Sequence, residues 1–272
     1  MKNLFITGIT SYLGENLFSN LTNYNIFALE HRKTIASAPN LTILKKLPEN
    51  LNQYFITNNI EFIIHLATNS ERVNQVEKIE DIINTNITLG LKILNASLDS
   101  NVKKIISAGS YSQDVLIDPL NAYTISKQYF EDLQKIYSKN YNLHNTSIHF
   151  GDIYGPKDNR NKLVPFIKAN ENTPMIKFNS DGKGYFSPIF INDAIESILE
   201  ELTNERESLF ALKSAASELI YVEEFVELYK SIRDKNFEHK FTGKTVSNFS
   251  SIDNFKPSKN LKYSLNEGLN LI

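Results

Sequence analysis

Strand-length apolar runs alternate with helix-length amphipathic segments through the first 150 residues of the chain. The apolar runs are continuous and rich in isoleucine, as in Glu61 to Leu66 (EFIIHL) and Lys104 to Ala108 (KIISA). Such runs are typical of strands that are covered on both faces. The alternation therefore predicts an α/β fold built on a doubly wound parallel sheet of the Rossmann type.

The same pattern gives approximate bounds for the remaining early elements. It predicts strands at Asn3 to Thr7, Asn25 to Leu29 and Thr146 to Phe150, and helices at Tyr12 to Leu21, Val76 to Leu98 and Ala122 to Tyr137. Beyond the Tyr-Gly-Pro sequence at residues 154–156 the alternation weakens.

The change in pattern predicts two parts of unequal size. We expect residues 1–156 to form a dinucleotide-binding domain, to which residues 188–212 return. Residues 157–272 are expected to form mainly a smaller C-terminal α/β lobe that binds the substrate.

Composition excludes several classes of function. Lys and Arg number 29 against 31 Asp and Glu with no basic block, so we expect no nucleic-acid partner. Cys is absent, which excludes disulfides, thiolate metal sites and a thiol nucleophile, and we predict no bound metal. No apolar run reaches the length of about 18 residues that a membrane span needs, and the sequence MKNLFITGIT lacks signal-peptide features. We therefore expect a cytoplasmic protein with no membrane partner.

Two glycines mark the turn between the first predicted strand and the first predicted helix, in the sequence TGITSYLG. Gly8 at the strand end allows a sharp turn, and Gly14 allows a pyrophosphate or a neighbouring strand to approach the backbone. The same spacing is compatible with an ordinary strand–helix turn. If the turn binds a dinucleotide, its cofactor-binding residues are Gly8, Thr10, Ser11, Tyr12, Leu13 and Gly14.

A second motif, YTISK, places Tyr123 and Lys127 four residues apart on one helix face. An ammonium next to a phenol favours the phenolate and lowers the tyrosine pKa toward the range of an acid–base catalyst. Ser110 follows a predicted strand by two residues, at the sheet edge where open α/β folds bind ligands. Ser107 and Ser112 are alternatives for the catalytic hydroxyl.

In this order, the motifs resemble the extended short-chain dehydrogenase/reductases, also called the NAD-dependent epimerase/dehydratase family. The resemblance covers nearly the whole chain. It also includes His65-Leu66-Ala67 after a strand, Asn86 within NTNITLGLKIL, and the sequence DIYGP from Asp152 to Pro156. It implies an NAD(P) cofactor, a nucleotide-sugar substrate and a homodimer. Within the family, the chain looks most like the reductases that make deoxysugar nucleotides.

The resemblance also implies residue roles. Catalysis is assigned to Ser110, Tyr123 and Lys127. Besides the glycine turn, the cofactor-binding residues are Glu30, His31, Arg32, Leu66, Ala67, Thr68, Asn86, Tyr123 and Lys127. The substrate-binding residues are Thr68, Ser110, Tyr111 and Asp152.

Three of these neighbourhoods have plainer interpretations. His65 lies within an apolar strand, where a histidine is more often a hydrogen-bonded core residue than a cofactor contact. Asn86 is either a polar residue on a helix surface or a buried residue near the active site. The cluster from Glu30 to Lys33 is either a solvated turn or the reader of the adenosine ribose.

The chain departs from the family pattern at several places, including a short gap between Ser110 and Tyr123. Ser11 replaces a glycine and adds a Cβ close to the expected pyrophosphate. His149 stands where an arginine commonly precedes the Tyr-Gly-Pro element by five residues. Phe186-Ser187 replaces an Arg-Asp pair, so contacts to a nucleotide in the small lobe do not carry over.

Residues that the chain lacks exclude two of the reactions that enzymes of this resemblance catalyse. The residues after Ser110 are Tyr111 and Ser112, whereas sugar 4,6-dehydratases carry acidic residues there. Epimerase-reductases of the GDP-fucose synthase type use a cysteine, and this chain has none. We therefore expect reduction of a 4-keto-6-deoxy nucleotide sugar. A 4-epimerase that retains NAD is the alternative enzyme, and a non-catalytic NAD(P)-binding regulator is the alternative from another class.

The residues after the second predicted strand give conflicting indications of whether NAD or NADP is bound. Glu30 can accept hydrogen bonds from the ribose hydroxyls of NAD and would repel a 2′-phosphate. His31, Arg32 and Lys33 follow at once, and a guanidinium can pair with the 2′-phosphate of NADP in a bidentate contact. We therefore predict use of both NAD and NADP, with a modest preference for NADPH.

Overall fold

The computed structural model describes residues 1–30, 33–71, 75–118, 120–244 and 248–272. The strands are β1 Lys2–Thr7, β2 Tyr24–Leu29, β3 Leu41–Leu44, β4 Phe62–His65, β5 Lys104–Ser110, β6 Leu116–Asp118, β7 Asn145–Phe150, β8 Asp152–Tyr154, β9 Met175–Phe178, β10 Tyr185–Phe186, β11 Pro188–Phe190, β12 Phe210–Ala215, β13 Ile220–Tyr221, β14 Glu238–Phe241 and β15 Asn248–Ser251. The helices are α1 Tyr12–Phe18, α2 Leu51–Thr57, α3 Val76–Ile83, α4 Leu89–Ser97, α5 Ala122–Tyr141, α6 Leu163–Asn170, α7 Ile191–Thr203, α8 Val222–Arg233 and α9 Leu265–Asn270.

A seven-stranded parallel sheet in the order β12-β7-β5-β4-β1-β2-β3 forms the centre of the fold. β1 pairs with β2 on one side and with β4 on the other, so the strand order reverses between β1 and β4. Open α/β sheets bind their ligands outside the carboxyl ends of the strands at such a reversal. The predicted α/β fold with a doubly wound parallel sheet is confirmed.

The long helix predicted from Val76 to Leu98 is one continuous helical run with an irregular centre. α3 and α4 are joined by a π-helical turn at Asn84–Thr88, in which the amide of Leu89 donates to the carbonyl of Asn84. A π turn holds one more residue than an α turn and is often found at functional sites. Downstream, Gly90 of α4 lies against α5, since a Cβ there would come within 2.2 Å of the Phe130 ring.

Several predicted bounds were wrong. β5 continues through Gly109 to Ser110, so Ser110 is the last residue of the strand and not a residue two positions beyond it. α1 ends at Phe18 instead of Leu21, because the chain turns at Ser19 to reach β2. β3 was not predicted from the sequence, because its four residues Leu41–Leu44 lie at the sheet edge, include the exposed Thr42 and form only a short apolar run.

The described chain divides into two compact units. The first contains Met1–Gln113, Asn121–His149 and Ile195–Lys213, and the second contains Asp114–Leu120, Phe150–Ala194 and Ser214–Ile272. In the second unit, short strands pair as β8 with β11, β9 with β14, β10 with β13, and β6 with β15. Among the residues that the model describes, no helix has the length and apolarity needed to span a membrane.

Candidate active site

The glycine turn after β1 leaves no space for side chains. Gly8 has a φ of +76°, and a Cβ there would lie 2.5 Å from the amide nitrogen of Ala67 and 2.6 Å from the carbonyl carbon of Leu66. A Cβ on Gly14 would lie 2.4 Å from the carbonyl oxygen of Gly8. The turn therefore brings bare backbone to the carboxyl ends of β1 and β4, which fits the close approach that a dinucleotide pyrophosphate requires.

Ser11, which replaces a family glycine, has a local structural role. It is the N-cap of α1, and its Oγ accepts a hydrogen bond of 3.1 Å from the amide of Gly14. Serine is among the preferred N-cap residues because this contact satisfies an otherwise unpaired amide of the first turn. Of the other predicted residues of the turn, Thr10 and Tyr12 are half-buried and Leu13 is buried. Their contact with a cofactor stays a prediction.

The three predicted catalytic residues all belong to the first unit. Ser110 ends β5, and Tyr123 and Lys127 lie in the first turns of α5, which packs against β5. Each is buried, with relative exposures of 5%, 8% and 7%. The ammonium of Lys127 donates a 2.7 Å hydrogen bond to the carbonyl of Ala108, two residues before Ser110. This bond fixes the start of α5 to the end of β5.

Burial lowers the pKa of Lys127 to about 7. The carbonyl of Ala108 is a polar acceptor but not a counter-charge, so it offsets only part of the cost of desolvating an ammonium. His65, at the end of β4, is buried, and burial together with the charge of Lys127 lowers its pKa to about 3. Its Nδ1 shares a 2.7 Å hydrogen bond with Thr7 Oγ1. His65 is therefore a neutral, hydrogen-bonded core histidine.

The hydroxyl groups near Ser110 have distinct surroundings. Ser110 Oγ and Ser112 Oγ share a hydrogen bond of 2.9 Å, and Thr124 Oγ1 donates to Ser112 Oγ at 3.3 Å. Ser107 Oγ instead donates to Gln134 Oε1 at 2.9 Å, inside the core. Among the three candidate serines, Ser110 is thus the one at the strand end. Tyr111, which follows it, is buried.

Asn86 connects three parts of the first unit. Its Oδ1 accepts from Thr68 Oγ1 at 3.1 Å and from the amide of Asn69 at 2.7 Å, and its Nδ2 donates to the carbonyl of Asn69 at 3.0 Å and to Ser126 Oγ at 2.8 Å. These four bonds use the whole hydrogen-bonding capacity of a primary amide. Asn86 is therefore buried, and it ties the loop after β4 to α5 between Tyr123 and Lys127.

Glu30 directly follows β2 and forms an ion pair with Lys45, a residue that was not predicted from the sequence to belong to the site. Its Oε1 accepts from the amide of Ile35 at 3.1 Å, and its Oε2 forms an ion pair with Lys45. The hydrogen bond from Lys45 lowers the pKa of Glu30. Lys45 follows β3, the strand that the sequence pattern did not predict, and the pairing of Leu29 with Leu44 brings it opposite Glu30. His31 and Arg32 lie outside the described residues.

The second unit contains the remaining predicted site residue, Asp152. Its Oδ2 accepts a hydrogen bond from the amide of Ser187 at 3.3 Å, beside the pairing of β8 with β11. The unit also has a cavity of about 650 Å³ whose lining includes Lys157, Arg160 and Lys168. Arg160 is already paired with Asp158 and with the carbonyl of Ile153.

We expect Lys127→Met to stabilise the protein at low pH. An unfolded lysine has a pKa of about 10.4, so between pH 7 and pH 10 the unfolded state binds more protons than the folded state. The wild-type free energy of unfolding therefore rises with pH through this window, and the cost of burying the ammonium is fully present below it. Allowing for the lost bond to Ala108, Lys127→Met should gain about 2 kcal/mol at pH 6, and the gain should disappear near pH 10.5.

Urea unfolding at several pH values measures this difference, with Lys135→Met as the matched control on the same helix. Partial burial lowers the pKa of Lys135, but its hydrogen bonds to Glu131 and Asp132 outweigh that effect and raise it. The control should therefore lose stability at pH 6. A gain for Lys127→Met that does not change with pH would show that the buried charge is not its source.

Comparison with known proteins places these motifs in a family. Residues 4–210 match the model of the NAD dependent epimerase/dehydratase family. Protein CapI of Staphylococcus aureus is 25% identical over 225 residues, which span 72% of this chain and 67% of the relative. CDP-abequose synthase of Salmonella typhimurium is 25% identical over 150 residues, which span 53% of this chain and 49% of that enzyme.

Solved structures show the same fold. MoeE5 in complex with UDP-glucuronic acid and NAD superimposes with a TM-score of 0.83 at 16% identity, covering 99% of this chain and 97% of that one. The UDP-glucuronic acid 4-epimerase of Bacillus cereus, in complex with UDP-glucuronic acid and NAD, superimposes with a TM-score of 0.79 at 15% identity. The superposition covers 99% of this chain and 97% of that one. Because the family model matches well over half of the sequence, the chain belongs to the NAD-dependent epimerase/dehydratase family.

Proposed function

We propose that the protein reduces the keto group of a 4-keto-6-deoxy nucleotide sugar, using NADPH or NADH. The observation that carries the proposal is the grouping of Ser110, Tyr123 and Lys127 at the end of β5 and the start of α5, with Lys127 bonded to Ala108. The similarity to CDP-abequose synthase supports a deoxysugar nucleotide as the substrate class.

The reduced nicotinamide, when bound, supplies the hydride that forms the new C–H bond at sugar C4. The electron pair of the carbonyl π bond moves onto oxygen, and the Tyr123 hydroxyl gives its proton to that oxygen. Ser110 Oγ donates a hydrogen bond to the same oxygen, a contact that strengthens as negative charge develops. The Lys127 ammonium stabilises the tyrosinate left behind, and a proton from solvent restores the phenol.

A sugar 4-epimerase is the second candidate. The UDP-glucuronate 4-epimerase of Thermodesulfobacterium geofontis is 27% identical over 164 residues, and solved 4-epimerases share the fold. Epimerisation would use the same three side chains, with oxidation and re-reduction at C4 on one retained cofactor. A non-catalytic NAD(P)-binding regulator is less well supported, because it has no need for a buried lysine beside the tyrosine and serine.

The preference for NADPH is supported by Lys45. A free Glu30 carboxylate would repel a 2′-phosphate, but the ion pair with Lys45 cancels most of that charge. The Lys45 side chain is 71% exposed, so its ammonium remains accessible to a phosphate while Glu30 still has free lone pairs for ribose hydroxyls. These two side chains therefore support the use of both cofactors.

A homodimer in which the helical segments around Ile83 to Leu98 and Ala122 to Tyr137 meet their symmetry mates is supported by apolar side chains exposed on these segments. They are Ile83 at 43%, Ile125 at 51%, Tyr129 at 55% and Ile136 at 49% relative exposure. Two-fold symmetry would bury the same patch from each subunit in a four-helix arrangement.

The proposed reduction predicts that NADPH is consumed in proportion to product. A panel of 4-keto-6-deoxy nucleotide sugars, followed by absorbance and by product analysis, should give one cofactor oxidised for each sugar reduced. Tyr123→Phe should lower this rate by about 10² to 10⁴-fold with cofactor affinity retained. Tyr141→Phe, at the exposed end of the same helix, is the control and should keep the wild-type rate. Turnover of a sugar without added cofactor, on tightly held NAD, would contradict the reductase and favour the epimerase.

Lys45→Ala should weaken NADPH binding about tenfold, or 1.4 kcal/mol, and leave NADH binding nearly unchanged. Removing the ammonium takes away a partner of the 2′-phosphate and restores the negative charge of Glu30. Arg32→Ala should act in the same direction. Titrations with 2′,5′-ADP and 5′-AMP isolate the phosphate contribution, and Lys46→Ala, which removes the neighbouring surface charge, is the control. Equal weakening of both ligands by Lys45→Ala would show that Lys45 does not read the 2′-phosphate.

The proposed dimer predicts that Ile125→Arg gives a monomer. An arginine among these apolar side chains would bury an unpaired charge from each subunit in the interface. Light scattering at micromolar concentration should report a dimer for the wild type and for Ile56→Arg, which changes an exposed apolar residue of α2. A wild-type protein that is monomeric at this concentration would contradict the proposed dimer.

A further inference from the structure

A cluster of four polar side chains, two of them buried, lies next to the strand end that carries Ser110. It consists of Gln113, Glu131, Lys135 and His149, which we call the Glu131 cluster. The side chains of Glu131 and His149 are only 4% and 3% exposed. Burying a carboxylate lowers the stability of the folded protein unless the carboxylate is fully hydrogen-bonded. The partners of Glu131 therefore need to be identified.

Glu131 receives three hydrogen bonds. Its Oε2 accepts from Gln113 Nε2 at 3.0 Å and from His149 Nε2 at 2.5 Å, and its Oε1 accepts from Lys135 Nζ at 2.8 Å. Burial alone would raise the pKa of Glu131, but the bonds from His149 and Lys135 outweigh it and hold the pKa at about 2. The side chain is therefore a carboxylate at neutral pH and acts only as an acceptor.

The charge of Glu131 fixes the orientation of the Gln113 amide. A carboxylate accepts only from the NH₂ end, so the carbonyl end of Gln113 must point the other way. There Gln113 Oε1 accepts a 2.8 Å hydrogen bond from the backbone amide of Ser110. The 3₁₀ turn at Tyr111–Gln113 folds the chain back and makes this contact possible. Glu131 thus acts on the Ser110 backbone through one intervening amide.

Three consecutive residues of the strand end are held by three different side chains. Lys127 bonds the carbonyl of Ala108, Gln113 bonds the amide of Ser110, and between them Gly109 lies against His149. A Cβ on Gly109 would come within 2.5 Å of His149 Cδ2. The strand end therefore has little freedom to move relative to α5.

We propose that Gln113 and Glu131 are positioning residues for Ser110. They hold its backbone so that Oγ is presented to the substrate carbonyl oxygen within a fixed distance of Tyr123. The catalytic consequence rests on the proposed reductase function, whereas the effect on the Ser110 backbone does not. Catalytic groups tolerate little displacement, since a shift of about 1 Å can cost on the order of 10² in rate.

The test compares Gln113→Ala with Gln134→Ala. Gln134 is a fully buried glutamine on α5 that bonds Ser107 on the same strand, three residues before Ser110. Both variants lose a side-chain amide that is hydrogen-bonded to a residue of β5, so both should lower the unfolding temperature. Only Gln113→Ala, and likewise Glu131→Gln, should lower kcat about 10 to 100-fold, with the KM for NADPH unchanged.

Hydrogen exchange of the Ser110 amide, measured by NMR on the protein without substrate, gives a readout independent of activity. Exchange should be at least tenfold faster in Gln113→Ala and Glu131→Gln and unchanged in Gln134→Ala. A wild-type protein that reduces no sugar of the panel would overturn the proposed function and leave this comparison intact. Unchanged Ser110 exchange, or an equal loss of kcat in Gln134→Ala, would overturn the positioning role.

Discussion

The hydrogen bond from the Lys127 ammonium to the Ala108 carbonyl is the contact on which the rest of the candidate site depends. It joins the first turns of α5 to the last residues of β5, and so places Tyr123 and Ser110 on elements that are fixed to each other. A cation held by one neutral acceptor in a buried position lowers stability. Such an arrangement is typical of sites where function and stability conflict.

The buried carboxylate of Glu131 differs from the Lys127 ammonium, because its charge is fully hydrogen-bonded and its burial costs little stability. Three donors surround it, so its charge is satisfied, and it orders its surroundings at little cost to stability. Lys127 and Glu131 are four residues apart on α5, and Lys127 contacts the end of β5 directly whereas Glu131 is linked to it through Gln113. In the proposed reduction Lys127 would supply charge to the chemistry, and Glu131 would help to hold the strand end that carries Ser110.

The sequence predicted the fold class because continuous apolar runs leave few alternatives to a covered parallel sheet. It predicted Tyr123 and Lys127 as a pair because helical spacing alone brings them together. It did not predict Lys45, since that residue meets Glu30 through the pairing of β2 with β3, a strand of only four residues with none fully buried. Gln113, Glu131 and His149 were missed as a cluster for a similar reason, because three separate elements bring them together.

The π turn at Asn84–Thr88 affects how relatives of this chain should be compared. One additional residue in a helix rotates everything that follows by about 100° relative to an uninterrupted α-helix. Residues before Asn84 and after Thr88 therefore do not follow a single 3.6-residue period, although the helical run continues through both. In evolutionary terms the turn is equivalent to a one-residue insertion. A homologue without it needs a one-residue gap in this segment for its inward-facing positions to align with Asn86.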